Sequence, residues 1–320
     1  MGRGYYDYEA HEAATAARAA LAPEAVFTGR SCDPTMNPRG VTVRECRDSE
    51  AHPASVGIVF ALDVSGSMGI IPQDLATATL PAFMRAVTQV IPDAQVLFIA
   101  FGNAYADRSP LQVGQFESEA HLVDHWLATA HLEGGGGGLG ESYDLAMYFA
   151  SRHTAMDCLA KRGKKGYFFM TGDEVPFSTM APGIVTSVLG ATSMSEPMAI
   201  HETALELTRS FNAFFLIPDQ ARAIPYGTGP TWQKIFHERT IILERPSDTA
   251  MVCATLVAIE ERVAPDEAAI RAFVASHFGL ADADLERVVR PVLPFAAALA
   301  QGPIAPPEAQ GTQDVTGFKG

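Results

Sequence analysis

Short, wholly apolar runs alternate along the chain with longer stretches in which apolar residues recur every three or four positions. Residues 56–62 (VGIVFAL) have no polar interruption, the pattern of a strand buried on both faces. Runs of the same character occur at 95–101 (QVLFIAF), 166–170 (GYFFM), 211–217 (FNAFFLI) and 240–243 (TIIL). Between them, helical spacing predicts helices over 72–90, 117–131, 141–153, 198–210, 231–237 and 248–263. In the first of these the apolar stripe is Leu75, Leu80, Phe83, Met84 and Val87, and Pro92 closes it. Residues 109–116 alternate through Leu111 and Val113 behind a proline, which predicts a weaker edge strand, antiparallel to its neighbour. Strand and helix alternate throughout. The expected fold is therefore α/β: a doubly wound, Rossmann-like, mostly parallel sheet of about six strands flanked by helices.

The regions outside that alternation divide the chain. Residues 1–52 read as an Ala-rich helix (8–21) followed by an irregular lead-in rich in Gly, Pro, Asn and charge. Residues 53–263 form the α/β domain. Residues 264–301 read as a small helical C-terminal extension, with helices over 266–277 and 282–300, and the Pro/Gly/polar segment 302–320 as a disordered tail. Residues 175–195 read as loop with a short helix near 184–189.

Charge and cysteine usage narrow the function classes. A net charge of −14 without long acidic runs disfavours nucleic acid and anionic lipid as partners and favours cations or basic proteins. Cys32, Cys46, Cys158 and Cys253 are scattered, with no CxxC, and read as idle thiols in a reducing compartment. The start MGRGYYDYEA lacks the basic and apolar regions of a signal peptide, and no run of 18 apolar residues exists. A cytoplasmic protein is expected.

Chemistry concentrates at the end of the first buried run. Asp63-Val64-Ser65-Gly66-Ser67 follows it directly and sets one carboxylate and two hydroxyls at alternate positions. Parallel sheets bind ligands at the carboxyl ends of their strands. An all-oxygen donor set with few charges suits a hard divalent cation that keeps part of its water, Mg²⁺ above all, with Mn²⁺ or Ca²⁺ as alternatives. Asp173, in FFMTGDE, ends another buried run in the same way. A glycine run, 134–138, leads to Gly140-Glu141-Ser142. Its spacing from Gly135 imitates a phosphate-binding loop, but Glu141 stands where that loop needs Lys and no buried strand precedes it, so phosphate binding is rejected. His201-Glu202 lacks the second His of a zincin helix, and GxSxG is absent.

The Asp-x-Ser-x-Ser after a buried strand resembles the metal-ion-dependent adhesion site (MIDAS) of the von Willebrand factor A (VWA) family, over residues 53–263. The resemblance implies a divalent-metal-dependent protein-binding module and not a catalyst. Its metal ligands would be Asp63, Ser65, Ser67 and Asp173. The family usually supplies a Thr before its third major helix; counting back from Ala146-Met147 puts Glu141 there instead, as in the Gly-rich loops of VWA domains related to α-kinases. A third carboxylate leaves the site at about −1 and would repel an acidic partner. Glu141 is therefore expected to act as a direct or water-bridged ligand, against the alternative of a residue that merely sits in the first turn of a helix. The chain looks like intracellular bacterial or phage VWA proteins, adaptors or assembly subunits that often partner an AAA+ ATPase or another operon-encoded protein. Two other readings remain beside it. One is a Mg²⁺-dependent phosphohydrolase with Asp63 as nucleophile, although such enzymes want a second Asp where this chain has Ser65. The other is a structural subunit with a vestigial metal site.

Overall fold

The computed structural model describes residues 4–27, 29–66, 68–132, 134, 140–191 and 193–307. Its centre is a six-stranded sheet. The strands in chain order are β1 (Val56–Asp63), β2 (Ala94–Phe101), β3 (Leu111–Val113), β4 (Gly166–Thr171), β5 (Phe211–Ile217) and β6 (Thr240–Ile242). Their spatial order is β6-β5-β4-β1-β2-β3, all parallel except β3, which runs antiparallel to β2. Chain order reverses direction at β1, between β2 and β4. That is the topological switch point, where the loops on either side diverge and leave a crevice at the carboxyl edge. Asp63 is the last residue of β1 and Asp173 lies two residues past β4, so two of the three acids expected to bind metal stand at this crevice.

The uninterrupted apolar runs become central strands because both of their faces are covered. Every residue of β1, β2 and β4 is buried. On one face, register aligns Phe98, Phe60, Phe169 and Phe214 across adjacent strands, with ring centroids 5.7, 5.6 and 5.5 Å apart. Helix α1 (Leu80–Val90) covers this row through Phe83, 4.9 Å from Phe60. Phe295, on the C-terminal helix Leu293–Gln301, meets Phe214 edge-on at 5.0 Å. Residues one or three positions along point to the opposite face. There Phe101 and Phe215 pack on Tyr143, at the start of helix α2 (Tyr143–Arg152).

Several expected boundaries move, each for a local reason. The lead-in is not wholly irregular: Arg44–Cys46 pairs in parallel with Thr154–Met156, and Pro23–Val26 forms one helical turn. Arg-Glu-Cys shows no apolar alternation, so its pairing partner 110 residues away (Arg44 with Thr154) could not be read locally. The segment 175–195 contributes a two-residue strand, Thr179–Met180, antiparallel to Met198–Ala199, before the helix Pro182–Leu189. The helix that leads into α1 begins at Ile70 and contains a wide turn over Leu75–Thr79, where the Leu80 N–H reaches back to the Leu75 carbonyl. Pro81 accounts for it, because proline has no N–H and its ring crowds the carbonyl four residues earlier.

The C-terminal helices Glu267–Phe278, Asp282–Val289 and Leu293–Gln301, with the short turn Arg290–Val292 between the last two, join the main core through Ile270, Val274, Val288, Val292 and Phe295. Arg287 closes this contact by donating from Nε to both carboxylate oxygens of the fully buried Asp248, at 3.1 and 2.8 Å. The expected tail from 308 onward, Ser67, Glu133 and the glycine run 135–139 lie outside the described residues. Among the described residues, no helix is long and apolar enough to cross a membrane.

Candidate functional site

The loop after β1 folds back on its own strand. The Ser65 N–H donates to Asp63 Oδ1 at 2.9 Å, and the Ser65 carbonyl accepts from the Met68 and Gly69 N–H groups at 3.0 and 3.1 Å. Asp63 is fully buried and Ser65 is 6 % exposed. Gly66 leaves little room for a side chain: a Cβ there would stand 3.1 Å from the Gly134 carbonyl oxygen. The second Asp63 oxygen, Oδ2, accepts from the Tyr143 hydroxyl at 3.3 Å. Tyr143 in turn accepts from the Glu174 N–H at 3.2 Å, so one phenol links the ends of β1 and β4. Trp232 packs edge-on against Tyr143 at 5.0 Å and donates its Nε1 proton to the Glu174 carbonyl at 2.9 Å.

Glu141 reaches the site from outside any helix. Helix α2 begins at Tyr143, and Glu141 instead forms an isolated parallel bridge with Pro176. Its neighbour Gly140, at φ +96°, is held from two sides. The Gly140 carbonyl accepts from Asn103 Nδ2 at 2.9 Å, and the Gly140 N–H donates to Glu174 Oε2 at 2.5 Å. The alternative of Glu141 as a first-turn helical residue is thereby overturned: the backbone is captured by the neighbouring loops before the helix starts.

Burial and mutual repulsion govern the electrostatics. Burial pushes the Asp63 carboxyl up to about 7, with the bonds from Ser65 and Tyr143 pulling down and the charge of Asp173 pushing further up. Burial also pushes Glu141 up, to about 9, helped by the charges of Asp63, Glu174, Asp107 and Asp173. Glu174 is raised as well, by burial and then by Asp173. Arg222 sets a positive charge beside these acids, with Nη1 3.8 Å from Asp173 Oδ2 and Nε 3.2 Å from Asp219 Oδ2.

Two carboxylate oxygens here, Glu141 Oε2 and Asp173 Oδ1, are buried with no hydrogen-bond partner within the protein. Buried polar atoms are nearly always paired, and an unpaired anionic oxygen is costlier than a neutral one. The donor set of carboxylates and serine hydroxyl, with two such oxygens, fits a hard divalent cation. Among the described residues, no three His, Cys, Asp or Glu side chains already stand in the arrangement that holds one ion. Asp63, Ser65, Glu141 and Asp173 are thus gathered at one strand edge without forming a ready three-carboxylate cage.

Sequence reasoning missed Tyr143, Glu174, Asn103 and Arg222. Glu174 was signalled by its adjacency to Asp173. Tyr143 reads as a core aromatic, which it also is, and nothing local distinguishes Asn103 or Arg222 from surface residues.

No protein-family model matches the sequence, and no curated protein matches it. In fold it is similar to the crystal structure of the pilus adhesin SpaC from Lactobacillus rhamnosus GG in its open conformation, at 14 % identity and a TM-score of 0.41, covering 71 % of this chain and 31 % of the adhesin chain. A second form of SpaC matches at the same identity and TM-score and with 32 % of that chain covered. The chain spans about a third of the length of the adhesin chains it matches.

Proposed function

We propose that this chain is a VWA-type protein-binding module whose carboxyl-edge site holds one divalent cation, Mg²⁺ by preference. The observation that carries this reading is the pair of partnerless buried oxygens, Glu141 Oε2 and Asp173 Oδ1, beside the Asp63-x-Ser65-x-Ser67 loop at the switch point of the sheet. Asp63, Ser65 and Asp173 would hold the ion, Ser67 would complete the loop's donor set, and Glu141 would join directly or through water. When bound, the cation supplies the positive charge that offsets carboxylates now raised by burial and by one another.

The chain's own residues do the positioning. Tyr143 fixes the free oxygen of Asp63 and ties the β1 and β4 loops to one another. Asn103 and Glu174 hold the Gly140 backbone so that Glu141 points inward. The loops after β1, β2 and β4 are thereby coupled, and occupancy of the site becomes a condition for the shape of the face they present to another protein.

Titration calorimetry with Mg²⁺, Mn²⁺ and Ca²⁺ on wild type, Asp63→Asn and Asp173→Asn tests the reading. One site of modest affinity, abolished in both variants, is expected. Absence of binding by wild type at millimolar metal would sink it. A pull-down with wild type and Asp63→Ala, each in Mg²⁺ and in EDTA, then tests whether partner capture follows the ion.

A further inference from the structure

Half of the large hydrophobic residues left exposed among the described residues stand around this site. Among the described residues, the exposed large hydrophobics include Ile70 (52 % exposed), Tyr105 (60 %), Ile224 (77 %) and Tyr226 (68 %). All four lie on segments that follow β1, β2 or β5 at the carboxyl edge. Contacts tie each segment to the site. Ile70 is two residues beyond Met68, whose Sδ accepts from Arg222 Nη1 at 3.6 Å. Ile224 and Tyr226 follow Arg222 on the loop that Thr228 anchors by donating to the Asp173 carbonyl at 3.3 Å. The Tyr105 ring meets Phe177 at 5.0 Å, beside the Glu141–Pro176 bridge. Single exposed apolar residues are ordinary, whereas several grouped around one site mark an interaction surface.

The charge inside that rim is negative even with an ion in place. The strand ends and loops at the same edge carry six acids, Asp63, Asp107, Glu141, Asp173, Glu174 and Asp219, and two arginines, Arg108 and Arg222. With all six acids ionised around a bound ion, the two arginines and the divalent charge leave this balance negative by two. Glu141 is 3 % exposed, and its Oε2 is buried without a partner among these acids. An acidic side chain entering here would meet like charge in a desolvated setting, and a basic one would meet opposite charge.

We infer that this face docks a protein segment that sets a Lys or Arg against the acidic centre and aliphatic or aromatic side chains against the Ile70, Tyr105, Ile224 and Tyr226 rim. The cation then organises the loops, and the partner is held by the rim and by charge, not through a carboxylate ligating the metal. This inference rests on the divalent-ion reading above.

The test pans a displayed random-peptide library against the full chain in Mg²⁺, with Mg²⁺ calorimetry on the same samples. The comparison is the double variant Ile224→Ser, Tyr226→Asn. Both sites are exposed, and Asn tolerates the φ of +55° that Tyr226 adopts, so the variant keeps its fold and its metal affinity. The expected result is enrichment of peptides with Lys or Arg next to Leu, Ile or aromatic residues, whose affinity falls about tenfold or more in the double variant. Enrichment of Asp- or Glu-bearing peptides, no enrichment, or binding that survives the double variant would overturn the inference. If wild type binds no Mg²⁺ yet selects basic peptides that the variant loses, the ion reading fails and the docking face stands.

Discussion

Replacing Glu141 by Gln keeps the shape of the side chain and removes its charge, which separates the cost of the site from its use. Glu141 is 3 % exposed and its carboxyl is pushed up to about 9 from the ordinary 4.5, by burial first and then by the charges of Asp63, Glu174, Asp107 and Asp173. A raised carboxyl means that the folded chain binds the proton more tightly than the unfolded chain does. Stability without metal therefore falls as pH rises from about 4.5 towards 9. At ~1.4 kcal/mol per unit, the ceiling on this cost at pH 8 is about 5 kcal/mol. Gln returns most of it but buries an amide that lacks partners, at about 1–3 kcal/mol. The expected net gain for Glu141→Gln in EDTA at pH 8 is about 2–3 kcal/mol, or about 4 °C in Tm for a chain of this length. At pH 5 the recoverable cost is under about 1 kcal/mol, so the variant should be neutral or slightly less stable than wild type. In saturating Mg²⁺ at pH 8 the ranking should shift back towards wild type. Urea denaturation at both pH values, with and without metal, reads all of these outcomes. The same free-energy difference at pH 5 and pH 8 would refute the reasoning, as would destabilisation at pH 8 in EDTA.

Further outcomes follow from other parts of the structure. Arg287→Met strands the fully buried Asp248 carboxylate and should cost about 3–5 kcal/mol in urea denaturation, tying the C-terminal helices to the core. Gly172→Ala would put a Cβ 2.3 Å from the Tyr143 ring, so about 1–3 kcal/mol of destabilisation is expected. Mg²⁺ affinity, read by calorimetry, should weaken with it, because Tyr143 bonds Asp63. Asp48 is held below the ordinary carboxylate range by bonds from Arg162, with Ser55 and Lys161 adding to them. Asp48→Asn should therefore cost about 1–3 kcal/mol at pH 7, and the gap should narrow as pH falls below about 4, where wild type loses the same contribution. Acid titration of both proteins followed by circular dichroism checks this.

The sheet was legible because its central strands are buried on both faces and so lack polar interruptions: β1, β2, β4 and β5 stand within a residue or so of the apolar runs. Even the antiparallel edge strand announced itself through Leu111 and Val113. The features that escaped are those made by partners distant in sequence. Nothing in Arg44-Glu45-Cys46 signals a strand, since its ladder is supplied by Thr154–Met156. The row Phe98, Phe60, Phe169, Phe214 exists only once register is set. At the site, strand ends gave away Asp63 and Asp173, because position on a parallel sheet is itself a chemical signal. Glu141 was found by counting back from Ala146-Met147, yet its placement in a bridge with Pro176 depends on Asn103 and Glu174, which arrive from other strands. Helical spacing over 72–90 carries no mark of the wide turn at Leu75–Thr79, which is the local consequence of Pro81.

The central claim is that one divalent ion sits at the carboxyl edge between the ends of β1 and β4. Crystals soaked in Mn²⁺ and measured for anomalous scattering test it most directly, because the signal locates the ion without reference to any partner. A single strong peak is expected within about 2–2.6 Å of oxygens from Asp63 and the Ser65 loop, directly or through water from Asp173. The same crystals of Asp63→Asn should lack it. A peak elsewhere in the chain, or none at millimolar Mn²⁺ in well-ordered wild-type crystals, would contradict the account.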